Sequence, residues 1–387
     1  MADTVRVLTR AERVVATTAV GVLVVAMVTT SYAGGRPQAV GTTMAVTRGA
    51  STPLRPALIG PVAASPSPSA AGSPTPTATP LPTRVDALPA LAAAPTPPQA
   101  GCPVPPRPPS TWRPKPLGAP AVSDAALPRP LPRRAKSKDL SALTGKGIWV
   151  TNWPKDRVDV AGVVARAKAA GLTSIWVRTG GSRQGYYGGR VLPALVPAAH
   201  RSGLKVVAWD FPFLSDPVSD VVRAHKALNA GIDAFAPDVE TAAEGTHASA
   251  RRVAVYLSRL RSIAGGRPIA ATVPRPTAKR LRTFPYAAFA PYADAFVPMV
   301  YWSCHEPGDL VAQSLRELGR WLPVAPVGQA YDMRTDGGRA GLPTRAETWR
   351  FLDSARRGGA LGGSLWTIET IGAGQWSALR AYPWRGR

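Results

Sequence analysis

From residue 147 onward, short apolar runs alternate with longer amphipathic segments. The first run, residues 147–153 (GIWVTNW), precedes residues 158–171 (VDVAGVVARAKAAG), in which apolar side chains recur at helical spacing. Seven further apolar runs, each with a connection after it, lie at residues 174–180, 205–213, 233–241, 268–276, 295–303, 323–333 and 362–370. Eight strand candidates with intervening helical segments over roughly 240 residues predict one α/β domain, a (β/α)8 barrel of the TIM type.

Glycines mark the ends of several helical segments. Gly171, Gly203 and Gly231 each stand just before the next apolar run, where a glycine after a helix can adopt a left-handed conformation. The alternative architecture, an open doubly wound sheet, would need a glycine-rich phosphate loop after the first strand. Residues 151–154 (TNWP) do not have that composition, so the pattern favours the barrel.

The segment before the barrel has a different composition. The chain holds 42 prolines and 36 glycines, unevenly placed, and residues 34–138 are rich in Pro, Ala, Ser and Thr without a sustained helical or alternating period. Such a segment cannot bury enough apolar surface to offset the entropy of ordering it. We expect residues 34–138 to form a disordered tether and residues 139–387 to form the folded domain.

Residues 1–33 have the pattern of an export signal. Three arginines precede the apolar residues 14–28, and small residues stand before a cleavage position after Ala33. The apolar run is shorter than the ~20 residues that span a bilayer comfortably, so a cleaved signal peptide and a retained N-terminal anchor are both open. In either case we expect a secreted or extracytoplasmic protein that touches a membrane only through this segment.

The formal net charge of the chain is +24 at pH 7. The basic residues are mostly arginines dispersed among Ala, Pro and Gly, without the interleaved aromatic residues that stack on bases, so nucleic acid is not an expected partner. Anionic polymers of a cell envelope would be attracted to such a chain, although a coding bias toward Arg and Ala explains the composition equally well. We expect the protein to be a monomer.

Polar and aromatic residues collect where the strand candidates end. In (β/α)8 barrels these ends carry the active site, and here they hold Arg178, Asp210, Asp238, Glu240, Arg275, Tyr301, Gln329, Tyr331, Asp332 and Glu369. Asp238 and Glu240 are two residues apart, so both carboxylates point to one spot if the fourth strand extends that far. If the strand ends earlier, Asp238 caps a turn and Glu240 points into water.

Three strand candidates resemble the chitinase-like glycoside hydrolases of family eighteen. Asp233, Asp238 and Glu240, in GIDAFAPDVE, stand at the first, third and last acidic positions of that family's fourth-strand pattern DxxDxDxE. The segment PMVYW, which contains Tyr301, is similar to its sixth-strand Met-x-Tyr, and GGSLWTIE, which contains Trp366, is similar to its eighth-strand segment. A more distant glycosidase-like barrel, including the lysozyme type with its strand-end Asp-x-Glu, shares some of these features.

The sequence departs from the family pattern at three positions. Ala236 replaces the middle acid, which in the family helps to shuttle the proton, Ala234 replaces a Gly, and Trp302 stands where an Asp follows the Tyr. The missing acid at Ala236 keeps a second hypothesis open, a barrel that has lost turnover and only binds glycan.

The resemblance implies a mechanism in which the substrate supplies the nucleophile. Glu240 would protonate the glycosidic oxygen, and Asp238 would hold the 2-acetamido group of the sugar, whose oxygen, hydrogen-bonded by Tyr301, attacks the anomeric carbon. The like charge of Asp238 would raise the pKa of Glu240 and keep it protonated. The candidate substrate-binding residues are Trp366, Trp302, Trp209, Asp210, Arg178, Gln329, Tyr331, Asp332 and Met299. The tryptophans would stack on sugar faces or, alternatively, fill the core.

The functional prediction is an exported, cell-wall-associated glycoside hydrolase whose partner is an N-acetylhexosamine polysaccharide, either peptidoglycan or a chitin-like chain. The alternative is a catalytically inactive glycan-binding barrel of the cell envelope. No metal site is predicted, because the four histidines lie on separate segments without ligand spacing, and no cofactor is expected. The chain has two cysteines, Cys102 and Cys304; in an oxidising compartment a bond between them, intermolecular bonds and separate thiols are all open.

Overall fold

In the part of the chain that the structure describes, eight parallel strands alternate with eight α-helices. The computed structural model of the protein describes residues 117–152 and 159–384. The strands are β1 (Gly145–Val150), β2 (Ser174–Gly181), β3 (Lys205–Phe211), β4 (Ala234–Pro237), β5 (Ala270–Pro274), β6 (Ala295–Val300), β7 (Val327–Gln329) and β8 (Gly362–Trp366). The helices are α1 (Val160–Ala169), α2 (Leu192–Arg201), α3 (Pro217–Leu228), α4 (Ala250–Ile263), α5 (Ala278–Thr283), α6 (Pro307–Gly319), α7 (Arg345–Arg357) and α8 (Ala373–Ala381). Each apolar run predicted as a strand overlaps one of the eight strands, so the predicted α/β class is confirmed.

The eight strands close into a barrel. Parallel pairing runs in the order β4, β3, β2, β1, β8, β7, β6, β5, and two parallel bridges, Phe235 with Ile269 and Asp238 with Thr272, join β4 to β5. A two-residue strand, Gly185–Tyr186, adds an antiparallel pair at the end of β2. The predicted (β/α)8 barrel is confirmed, and the second bridge carries the path of the fourth strand as far as Asp238.

Aromatic side chains fill the barrel interior. Trp149, Trp176 and Trp209 lie on β1, β2 and β3 and are all nearly inaccessible to solvent, and the rings of Trp149 and Trp176 stack with their centroids 4.8 Å apart. The 3₁₀ helix Ser141–Leu143, immediately before β1, packs into the same cluster. The N-terminal end of the barrel is therefore plugged, and an opening for a ligand lies at the carboxyl ends of the strands.

The outward faces of the strands pack against the helices in a second, larger apolar cluster. Side chains cap the helices where the sequence changes from strand to helix, as Ser249 does for α4 and Thr344 does for α7. Gly171 and Gly203 have φ of 62° and 73° after α1 and α2, as predicted for glycines that end helices. These turns bring each helix back over the sheet and leave the strand ends free for polar residues.

The segment of residues 117–140, here called the N-terminal strap, lies against α4 and its neighbours. The amide of Val122 donates to the Ser215 carbonyl at 3.1 Å, and the amide of Ser137 donates to Asp294 Oδ1 at 2.8 Å. Arg252, which is buried, pairs with Asp124 at 2.7 Å. Residues 117–138 were expected to belong to the disordered tether. In the structure, backbone amides of this segment donate hydrogen bonds to groups of the barrel domain, so the segment packs against that domain.

The remaining sequence predictions for the N-terminal region concern residues outside the described ones. They are the export signal of residues 1–33, the tether over residues 34–116, and the pairing of Cys102. Cys304 is disulfide-bonded. Within the described part of the chain, no helix has both the length and the apolar character to cross a bilayer.

Candidate active site

Asp238 and Glu240 project from the end of β4 into one cavity. The backbone stays extended there, because the amide of Asp238 donates to the Asp210 carbonyl at 2.9 Å and the amide of Val239 donates to the Thr272 carbonyl at 3.0 Å. Both carboxyl groups line a cavity of about 210 Å³ at the mouth of the barrel. Side chains two residues apart on an extended chain share a face, so the structure supports the first of the two readings of this segment.

The cavity gathers side chains from five consecutive strands or their ends, β4 to β8, together with one from β1. Six of the sequence-predicted residues line it: Asp238, Glu240, Met299, Tyr301, Tyr331 and Trp366. Four further residues line it that the sequence did not single out: Trp149, Thr272, Val327 and Asp336. The only signal for Trp149 and Thr272 was their place on the inward face of β1 and β5, which many core residues share.

Two predicted tryptophans lie in apolar surroundings outside this cavity. Trp302 is fully buried on the outside of the barrel, and its ring centroid is 5.6 Å from that of Phe351 on α7. Trp209 lies inside the barrel beneath Trp366, with ring centroids 5.1 Å apart. Of the three tryptophans predicted to stack on sugar, Trp366 alone reaches the cavity wall, and the other two fill core volume.

Four predicted polar residues also lie outside the cavity lining. Arg178 stacks on the Trp209 ring at 5.0 Å. Gln329 is buried and joins two strand ends, because it accepts from the Ser303 amide at 2.9 Å and donates to the Tyr331 carbonyl at 3.0 Å. Asp332 caps the 3₁₀ helix Met333–Asp336, and Asp210 pairs with Arg223. Their contacts are typical of residues that position the loops around a site.

Asp238 is a buried carboxylate with an unsatisfied oxygen. The residue is 5 % exposed, and Oδ1 has no hydrogen-bond partner. Burial raises the pKa of Asp238 to about 7, with the charge of Asp210 adding to the rise and that of Arg178 opposing it. A carboxylate held near its pKa at neutrality, with a free acceptor facing a cavity, is suited to binding a donor group of a ligand.

Glu240 lies beside Asp238, and its pKa is also raised. Burial raises its pKa well above the usual range, and the carboxylates of Asp238 and Glu244 raise it further. Glu244 itself stays fixed, since it accepts from the Thr241 amide at 3.1 Å. A carboxyl group that keeps its proton at neutral pH can act as a general acid.

Tyr301 and Tyr331 form the wall opposite the acid pair. Their rings meet edge to face with centroids 5.4 Å apart, and the hydroxyl of Tyr331 donates to Asp336 Oδ2 at 2.8 Å. Burial raises the pKa of Tyr301 well above its usual range, so its hydroxyl is a proton donor. It is therefore available to an acceptor atom in the cavity.

A larger cavity of about 750 Å³ adjoins the first. Glu240, Met299, Tyr301, Tyr331 and Asp336 line both, so the acid lies where they meet. We call the smaller space the inner cavity and the larger one the outer cavity.

Metal chemistry has no candidate among the described residues. They contain no group of three or more His, Cys, Asp or Glu side chains placed to hold a metal ion. The inner cavity is lined by three carboxyl groups, two tyrosine hydroxyls and an aromatic wall.

Comparisons with solved structures found similarities at low identity. The spore cortex-lytic enzyme SleL of Bacillus cereus is 12 % identical, with a TM-score of 0.49 over 61 % of this chain and 73 % of that one. A chitinase of Chromobacterium violaceum is 12 % identical, with a TM-score of 0.47 over 61 % and 98 %. The glycoside hydrolase domain of PgaB from Bordetella bronchiseptica is 11 % identical, with a TM-score of 0.45 over 61 % and 98 %.

No protein family and no curated protein matches the sequence. Similarities of this size carry no argument about the reaction. The resemblance drawn from the three strands is confirmed at the level of the fold by the closed barrel of this chain, and the chemistry rests on its own residues.

Proposed function

We propose that the protein is an exported, cell-wall-associated glycoside hydrolase that cleaves an N-acetylhexosamine polysaccharide of the peptidoglycan or chitin type. The observation that carries the proposal is the acid pair. Asp238 has a free, buried acceptor oxygen, the pKa of Glu240 is raised well above its usual range, and both face a cavity that Trp366 and Tyr301 also line. Paired carboxyl groups with different roles are the usual machinery of glycosidic bond cleavage.

Glu240 is the general acid of the proposed reaction. It donates its proton to the glycosidic oxygen as the bond from that oxygen to the anomeric carbon breaks, so the leaving sugar departs as a neutral alcohol. The resulting Glu240 carboxylate then takes a proton from water. The hydroxide left from that water bonds to the anomeric carbon, and the acid is restored.

Asp238 and Tyr301 orient the 2-acetamido group of the sugar in the inner cavity. Asp238 Oδ1 accepts from the acetamido N–H, and the hydroxyl of Tyr301 donates to the acetamido oxygen. That oxygen attacks the anomeric carbon and forms a cyclic intermediate, which water opens in the second step. The enzyme then needs no nucleophile of its own, and Trp366 provides an aromatic face for the sugar ring.

Ala236 favours a second candidate function, a barrel that binds glycan without cleaving it. The residue is completely buried and packs in the apolar cluster of the barrel interior, so no acid precedes Asp238 on the inward face of β4. The charged groups that influence Asp238 come instead from Arg178 on β2, Asp210 on β3 and Glu244 after β4. Whether these groups replace the missing acid decides between the two functions.

The test is to incubate the full-length protein with peptidoglycan and with N-acetylglucosamine oligomers, and to measure both new reducing ends and binding. The Glu240→Gln variant is the control for contaminating activity. New reducing ends with the wild type and none with the variant support the hydrolase. Tight binding by both proteins without new reducing ends would establish the inactive glycan-binding barrel instead.

A further inference from the structure

The outer cavity has a wall of two arginines beyond Glu240. Arg275 follows β5 directly and Arg280 lies on α5, and both side chains are half-buried in the lining. Arg275 donates to Gln313 Oε1 at 3.2 Å, and Arg280 donates to the Arg275 carbonyl at 3.4 Å. Both contacts are with neutral groups.

The absence of a carboxylate partner distinguishes these two arginines from the buried ones. Arg223, Arg252 and Arg261 each form an ion pair, with Asp210, Asp124 and Asp294 respectively. Among the described residues, neither Arg275 nor Arg280 forms an ion pair with a carboxylate. Desolvating a guanidinium is costly unless an anion compensates it, so the two half-buried arginines are suited to binding an anionic ligand.

Two acidic residues that line the same cavity accept hydrogen bonds from within the chain. Glu244 is held in its cap by Thr241, and Asp336 accepts from the Tyr331 hydroxyl. The carboxyl groups of Glu240, Glu244 and Asp336 thus line the same cavity as the two arginines. Burial lowers the pKa of Arg275, and the positive charge of Arg280 lowers it further, so the two guanidinium groups lie close together.

Arg275 and Arg280 lie on one side of the glycosidic bond that is cleaved in the proposed reaction. In the proposed reaction, the sugar whose acetamido group contacts Asp238 occupies the inner cavity, and the glycosidic oxygen lies at Glu240. The next sugar, which departs with the proton of Glu240, then enters the outer cavity beside Arg275 and Arg280.

We propose that Arg275 and Arg280 bind a carboxylate on the departing sugar, so that the preferred substrate is an N-acetylhexosamine polymer in which alternate sugars carry an acidic substituent. The inference rests on the proposed function. An arginine can grip a carboxylate with two parallel hydrogen bonds, which a neutral hydroxyl cannot reproduce. The wall selects an acidic chain, such as one with lactyl ether groups, over a neutral chitin-like chain.

The test measures binding to the full-length Glu240→Gln protein, in which turnover is suppressed. Three oligomers of equal length serve as ligands: one alternating N-acetylglucosamine with its 3-O-lactyl ether, the same oligomer with its carboxylates methyl-esterified, and neutral N-acetylglucosamine. We expect Arg275→Gln with Arg280→Gln to weaken binding of the free-acid oligomer by about 10- to 100-fold, because hydrogen bonds to a charged group are lost. Binding of the ester and the neutral oligomer changes less than about twofold, since neither ligand has a charge for the wall to compensate.

Arg282→Gln is the matched control, because it removes the same charge from the exposed side of α5 outside the cavity lining. The inference is overturned if the double variant weakens all three ligands equally or none of them, if Arg282→Gln has the same effect, or if the unsubstituted wall shows no preference for the free acid.

Turnover by the wild type separates this inference from the proposed function. Arginine-dependent binding of the free acid without new reducing ends would contradict the hydrolase and retain the carboxylate site. Cleavage of neutral and acidic oligomers with equal kcat/KM, unaffected by the arginine substitutions, would retain the hydrolase and contradict the carboxylate site.

Discussion

Two neighbouring strand ends carry buried carboxylates in opposite electrostatic surroundings. At the end of β3, Asp210 is fully buried and receives Arg223 at 2.6 Å. At the end of β4, Asp238 is almost as deeply buried, but its Oδ1 has no partner. The two strands are paired in register, with Asp210 beside Pro237, so the difference arises from one cation and not from depth in the barrel.

The comparison separates a structural carboxylate from a reactive one. Arg223 also pairs with Asp220 at 2.8 Å and contacts Ser182, so the β3 end is a closed network. Burial raises the pKa of Asp210 to about 6 against the opposing effect of Arg223, which leaves it ionised at neutral pH. Asp238 and Glu240 have no such network, and burial raises their pKa values further. An uncompensated buried charge costs stability, and proteins keep such groups where chemistry needs them.

The largest expected effect is on catalysis at the β4 end. Glu240→Gln preserves shape but cannot donate the proton, so we expect kcat to fall by a factor on the order of 10² to 10⁴ with little change in glycan binding. Steady-state kinetics and a binding titration check this. Undiminished turnover would remove Glu240 from the mechanism.

The next effect is on stability at the β3 end. Arg223→Met leaves Asp210 and Asp220 as uncompensated buried charges, and we expect the free energy of unfolding to fall by about 3–5 kcal/mol. Denaturant unfolding measures it. The matched control is Arg357→Met, which breaks the exposed pair with Asp353 and should cost less than about 1 kcal/mol. Equal losses in the two variants would contradict the distinction drawn here.

Asp238→Asn should have the opposite effect on stability while it impairs catalysis. The pKa of Asp238 is raised from 3.8 to about 7, so between these values the folded protein binds more protons than the unfolded chain. The stability of the wild type therefore falls as pH rises from about 4 to 7. The variant lacks this loss. We therefore expect its free energy of unfolding at pH 8 to exceed that of the wild type by about 0.5–2 kcal/mol.

The same measurement on Asp210→Asn supplies the contrast. Burial raises the pKa of Asp210 only to about 6, so its ionisation costs less stability than that of Asp238, and the substitution leaves Arg223 with Asp220 as its remaining partner; we therefore expect this variant to be less stable at pH 8 than Asp238→Asn. Thermal unfolding at pH 5 and pH 8 tests both variants. A loss of stability in Asp238→Asn as large as in Asp210→Asn would contradict the assignment of an uncompensated charge to the β4 end.

The smallest expected effect is a shift of the pH profile. Glu244 raises the pKa of Glu240, so Glu244→Gln should lower that pKa and move the descending limb of kcat/KM toward lower pH. The glutamine can still accept from the Thr241 amide, so the 3₁₀ turn is kept. The profile from pH 5 to 9 measures the shift, and movement of the limb to higher pH would contradict the assigned sign.

Local pattern was sufficient to predict the architecture and the position of the acid pair. Eight apolar runs with helical segments between them can bury their faces in few ways, and strands in such a fold present their carboxyl ends at one rim. The spacing of Asp238 and Glu240 placed both on one face of an extended chain. The alternation of β6 carries a similar lesson: Met299 and Tyr301 face the cavity, so the adjacent Trp302 must point outward to the helices.

The sequence alone therefore determined the fold class, the rim and the pair of acids, because these depend on periodicity within single segments. The tertiary structure decided what surrounds them. It placed Trp209 in the barrel core and Arg223 beside Asp210, and it brought Thr272 and Asp336 to the cavity. These outcomes depend on how strands stagger and how loops from distant parts of the chain meet, and no local period encodes either.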